Sequence, residues 1–113
     1  MTLQAVVFRA TLVHPSARAT HERIVQEMKD LARGIDGFVE WRDAMDELTY
    51  WGHVMFESEA AALAWRGDPR HEAIHDHGEL VYSEFATHAF ESVGSASWRR
   101  DPSSRGDDAS HGA

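Results

Sequence analysis

Residues 3–13, Leu-Gln-Ala-Val-Val-Phe-Arg-Ala-Thr-Leu-Val, form a β-branched, apolar run that ends before Pro15. Successive side chains of a strand point to opposite faces. Val6, Phe8, Ala10 and Leu12 therefore share one face, and Ala5, Val7, Arg9, Thr11 and Val13 share the other. Neither face is purely polar, which predicts cover on both sides. Whatever this chain folds into must bring apolar material to both faces of its first strand.

The next segment supplies one layer of that cover. From Ser16 to Arg33 the apolar spacing changes to a helical period, with Ile24, Val25, Met28, Leu31, Ala32 and Ile35 in one stripe. Ser16 is the expected N-cap, Gly34 the expected stop, and Asp36-Gly37 a turn. Residues 38–44 and 49–57 read as a second and a third strand, joined around the acidic Asp46-Glu47. Ser58 caps a short helix, Glu59 to Arg66, which Gly67 ends. Asp68-Pro69 starts another, closed near Gly78, and residues 84–93 read as the last strand. The order β, α, β, β, interrupted α, β is the split βαβ pattern of an α+β, ferredoxin-like fold with an antiparallel sheet.

The chain has 113 residues, enough for one domain with a modest core, which leaves room for stability from a partner subunit. It has no cysteine, so disulfides, thiolate metal sites and cysteine nucleophiles are excluded. Eleven basic against nineteen acidic side chains argue against nucleic acid and anionic membranes as partners. Residues 95–113 hold Arg99, Arg100 and Arg105 against Asp101, Asp107 and Asp108, so the net charge of -8 falls on residues 1–94. This divides the chain into a folded domain, 1–94, and a polar tail, 95–113, whose composition favours disorder and whose one large apolar group is Trp98. There is no basic leader with an apolar core and no apolar stretch of membrane-spanning length, so a cytoplasmic protein is expected.

Chemistry concentrates between Trp65 and Tyr82. On a helix starting at Pro69, His71 and His75 lie one turn apart, on the side of Ile74, the one large apolar group there. That side should face inward and carry both imidazoles with it. The segment also spells His71-Glu72-Ala73-Ile74-His75, the H-E-x-x-H pattern of zinc proteases. A helix of about two turns with no evident third ligand does not support a metal site, and none is expected. Val6, Phe8 and Leu12 would wall an apolar pocket. Trp65 would offer a flat aromatic face, and His75, with His71, a base near neutral pH. Arg66 or Arg9 would stabilise an anion. The row Trp51, His53, Met55 would face a partner sheet.

The run Phe56-Glu-Ser-Glu-Ala-Ala-Ala-Leu-Ala-Trp65-Arg66-Gly-Asp-Pro69-Arg-His71 resembles the antibiotic biosynthesis monooxygenase (ABM) domain family. So do Phe8-Arg9, the Gly37-Phe38 turn, and Gly78 with Tyr82. The resemblance spans residues 3–94 and implies a ferredoxin-like fold that pairs, sheet against sheet, into a dimeric α/β barrel. It implies a homodimer acting on a small aromatic molecule, a phenolic or quinol-like compound oxidised by dioxygen with no cofactor required. A haem-binding or haem-degrading protein using the same pocket, with haem as cofactor, is the alternative, and a non-catalytic small-molecule-binding dimer a further one. His75 takes the place of a catalytic arginine in the polyketide-oxidising branch and of the haem-ligating histidine in the haem-degrading branch. Trp65 takes that of a haem-distorting tryptophan. The implied site is thus His75, His71 and Trp65 for catalysis, with Phe8, Trp65, Ile74, Tyr82 and Arg66 around the substrate. Positions that carry an asparagine, a tryptophan or a tyrosine in those branches are occupied here by Phe8, Gly52, Phe56 and Ala62.

Overall fold

A computed structural model describes residues 2–76 and 78–102; for Ile74, His75 and Asp76 it describes the backbone alone. The elements are β1 (Gln4–Leu12), a short 3-10 turn (Pro15–Ala17), α1 (Arg18–Arg33), β2 (Phe38–Asp46), β3 (Thr49–Phe56), α2 (Glu59–Arg66), α3 (Pro69–Asp76), a second 3-10 turn (Gly78–Leu80) and β4 (Tyr82–Glu91). The sheet order is β2-β3-β1-β4, and every pairing is antiparallel. This is the α+β, ferredoxin-like βαββαβ arrangement anticipated from the order of periodicities.

The first strand lies inside the sheet, between β3 and β4. Val6, Phe8, Ala10 and Leu12 are buried beneath the helices, while Val7 on the opposite face remains 42% exposed. Around them the core gathers Leu31 and Ala32 from α1, Tyr50, Val54 and Phe56 from β3, and Ala61, Ala62 and Trp65 from α2. Phe56, Ala62 and Gly52 thus belong to packing. A Cβ at Gly52 would run into the Arg42 carbonyl and come within 2.8 Å of Phe8 Cε2 and 2.9 Å of Asp43 Cβ. Glycine there lets the Phe8 ring lie flat against β3.

Local signals account for most element ends. The Ser58 hydroxyl accepts a hydrogen bond from the Ala61 amide at 3.1 Å, capping α2. Asp68 does the same for the Arg70 amide at 2.8 Å, with Pro69 at the first position of α3. Gly37 adopts φ 101°, a left-handed value that glycine accepts without penalty, and turns the chain from α1 into β2. Two expectations need correction. Ser16 does not cap α1: its hydroxyl lies 2.9 Å from His14 Nδ1, Pro15–Ala17 forms a 3-10 turn, and the N-cap is Ala17 with no side-chain bond. The proline holds the chain in a tight turn before the regular helix can start. The last strand begins at Tyr82 rather than residue 84, because its ladder runs on to pair Leu12 with Tyr82 across a register shift.

His77 and residues 103–113 lie outside the described residues, and with them most of the proposed tail. Within 95–102, Trp98 is exposed. Among the described residues, no helix is long and apolar enough to cross a membrane.

Candidate functional site

A cavity of about 690 Å³ opens between the helical layer and the sheet. Its floor is β1 (Val6, Phe8, Ala10), flanked by Trp41 of β2 and Tyr50 of β3. Val25 and Met28 of α1 and Trp65 of α2 form the inner wall. Arg66, His71 and Glu72 stand on one side, Glu79, Tyr82 and Phe85 on the other. The helix-facing side chains of the edge strand β4 lack a long helix above them, so Phe85 is 48% exposed and the cavity opens there.

The aromatic wall is held rigidly. Phe8 stacks on Tyr50 with ring centroids 5.7 Å apart and leans on Trp41 at 5.0 Å. Trp65 meets Trp41 edge to face at 6.0 Å, and its Nε1 donates to the Met28 carbonyl at 3.1 Å, which fixes α2 to α1. Asp43 is the polar hub behind the wall: its Oδ2 accepts from Tyr50 Oη at 2.9 Å and from Trp41 Nε1 at 3.2 Å, and pairs with Lys29 Nζ at 3.2 Å. Desolvation acts upward on the Asp43 carboxyl, but the hydrogen bonds from Tyr50, Trp41 and Lys29 outweigh it and hold it below the usual range. Burial, followed by the Asp43 bond, pushes the Tyr50 phenol well above its ordinary value, so this hydroxyl stays protonated.

Among the described side chains, His71 lines the cavity and His21 stands behind it. His71 packs on the Trp65 ring with centroids 4.3 Å apart, and its Nδ1 lies 3.2 Å from the Trp65 carbonyl. A carbonyl only accepts, so Nδ1 carries a hydrogen and donates it to the Trp65 carbonyl. His21 is the buried polar residue of the core, 2% exposed. Its Nδ1 is 2.7 Å from Tyr82 Oη, and its ring stands edge-on to Tyr50 at 4.6 Å and to Tyr82 at 5.6 Å. Burial, the largest influence, lowers its pKa from the usual 6.5. Burial likewise pushes Tyr82 up to about 12.

The structure brings together Phe8, Trp65, Arg66, His71 and Tyr82 of the residues expected at the site. The side chains of Ile74 and His75 lie outside the described residues, although the backbone of α3 includes both positions. Leu12 is buried away from the cavity lining. Arg9 alternates with Phe8 and points to the other sheet face, where Nη2 pairs with Glu84 Oε1 at 2.9 Å, so it is no anion partner for the cavity. Among the described residues, no three His, Asp or Glu side chains gather where a metal could sit.

Sequence reasoning missed His21, Trp41 and Tyr50. A signal existed for His21, which precedes Ile24 and Val25 by three and four residues and so extends the apolar stripe of α1. Haem, the alternative cofactor, carries two carboxylates that need cationic partners. The described lining sets Arg66 against Glu72 and Glu79, and the first strand presents Phe8, so these residues do not fit haem.

The element and strand order define a ferredoxin-like fold with a cavity between its helices and sheet. No family model and no curated protein matches the chain, but solved structures do. Rv0793 from Mycobacterium tuberculosis superposes with a TM-score of 0.73 and 18% identity, over 84% of this chain and 99% of that one. SnoaB, a cofactor-independent oxygenase from Streptomyces nogalater, gives 0.68 and 13% identity over 90% and 99%. A Nitrosomonas europaea protein provisionally assigned as an antibiotic biosynthesis monooxygenase gives 0.68 and 9% over 80% and 90%. At these identities the likeness is one of fold.

Proposed function

We propose that the chain is a cofactor-independent monooxygenase, working as a homodimer, that oxidises a phenolic or quinol-like aromatic molecule with dioxygen. The observation that carries this reading is the aromatic-walled cavity, bounded by Phe8, Trp41, Tyr50 and Trp65, on which His71, Arg66 and Tyr82 border. A flat ligand would bury its rings against those walls and meet polar groups at its edge. Residues 1–94 would be the working domain, with 95–113 outside it. The fold shared with SnoaB, described as a cofactor-independent oxygenase, supports the reaction class.

The chemistry asks little of the protein beyond binding and a base. An imidazole takes the acidic proton of the substrate, and Arg66 stabilises the resulting anion. The electron-rich anion then reduces dioxygen. With an anthrone, one oxygen atom becomes a new carbonyl on the ring carbon. The other leaves as water with the two hydrogens that carbon has lost. His71, whose Nδ1–H bonds the Trp65 carbonyl, is one candidate for that base, and His75, one turn further along α3, is the other.

Oxygen uptake with an anthrone tests this. Turnover should fall about 100-fold or more in His71→Ala or His75→Ala, the usual weight of a general base. Unchanged turnover in both variants would reject an imidazole base. Ligand binding without oxygen uptake would leave a small-molecule-binding protein.

A further inference from the structure

His21 is costly where it stands. A polar ring set in the apolar stripe of a helix gives up its hydration and must regain a partner inside the protein. Among the described residues, its Nδ1 meets the Tyr82 hydroxyl at 2.7 Å. If the purpose were only to fasten α1 to β4, two apolar side chains of similar size would do so without burying two polar groups. What the pair adds is direction. Edge-on rings of Tyr50 and Tyr82 hold the imidazole, and the imidazole in turn fixes the phenol oxygen of a residue that lines the cavity.

The sense of the bond is set by the strengths of the groups. A phenol is a better donor than a neutral imidazole N–H, and an imidazole nitrogen a better acceptor than a phenol oxygen. The favoured arrangement has Tyr82 O–H donating to His21 Nδ1. A phenol hydroxyl has one donor and two acceptor sites, so the oxygen keeps its acceptor capacity for a ligand. We infer that His21 is a positioning residue that makes Tyr82 a hydrogen-bond acceptor in the cavity, selecting aromatic ligands with a free hydroxyl over analogues that cannot donate. This rests on the cavity being an aromatic-ligand site and adds the polar feature it reads.

Calorimetric titration of the full chain with 2-naphthol and with 2-methoxynaphthalene provides the test, with circular dichroism to establish that each variant is folded. The naphthol should bind roughly fivefold to tenfold more tightly than its methyl ether, the yield of one hydrogen bond. Tyr82→Phe should bring the ratio to about one. His21→Leu should do the same although it leaves Tyr82 in place. His21→Asn should restore the preference, because its amide oxygen falls near the position of Nδ1 and accepts the same hydroxyl. A preference that survives Tyr82→Phe or His21→Leu would overturn the assignment. So would equal losses in His21→Asn and His21→Leu, which would mark His21 as packing only. If both compounds bind equally to the wild-type chain, the cavity reading stands and the inference falls; if neither binds, both fall.

Discussion

His21 shows how a single buried side chain ties stability to pH. In the folded chain, desolvation disfavours its imidazolium form; Glu22 opposes that effect, Arg18 reinforces it and Asp43 opposes it, and the net direction is downward. The unfolded chain therefore binds more protons than the folded chain at pH below 6.5, the ordinary histidine value. The stability associated with neutral His21 is complete above that pH and is lost progressively as pH falls towards the folded value. Thermal melts at about pH 7.5 and about pH 5.5 should show a decline in Tm on acidification that is smaller in His21→Asn. An equal decline in both proteins would place the titration on other groups. Trp65 illustrates a different point. It is 4% exposed and also lines the cavity, so one side chain serves both the core and the cavity wall.

At the scale of elements, the caps and turns were legible because they depend on neighbours in sequence. Ser58, Asp68 and Gly37 act within three residues of themselves, and each sits where its type led one to expect. Ser16 failed as a cap because Pro15 and His14 offered a competing local structure. Gly52 was visible only as an unfilled place in a family pattern. The packing gives it a meaning: β2 and the Phe8 ring approach β3 where a methyl group would collide. Since one colliding atom is backbone, relief would require moving a strand. Gly52→Ala should destabilise the domain by about 1–3 kcal/mol, the usual effect of overpacking, measured by urea denaturation. It should also weaken aromatic ligands, because the cavity floor moves with Phe8; a variant as stable as the parent would show that β2 yields easily.

For the whole molecule, the open face of the sheet is the feature still without cover. Val7, Trp51 and Phe90 lie there with 42%, 43% and 56% of their surface exposed, beside the His53–Glu40 pair at 2.7 Å. Large exposed apolar groups on one face mark an interaction surface. If two sheets pair through it, light scattering should report a dimer, and Trp51→Lys should shift the population to monomer; a wild-type monomer at micromolar concentration would contradict the pairing. The amino-acid sequence by itself determined the type and order of the elements, because periodicity and capping are short-range effects. It also singled out Trp65, Arg66, His71 and Tyr82. Only the tertiary structure decided that His21 meets Tyr82, that Asp43 gathers Lys29, Trp41 and Tyr50, and that Arg9 turns away from the cavity. His21 and Tyr82 are 61 residues apart, and a bond across that span depends on the sheet register and on how α1 is laid over it. Neither is encoded in any local stretch of the chain.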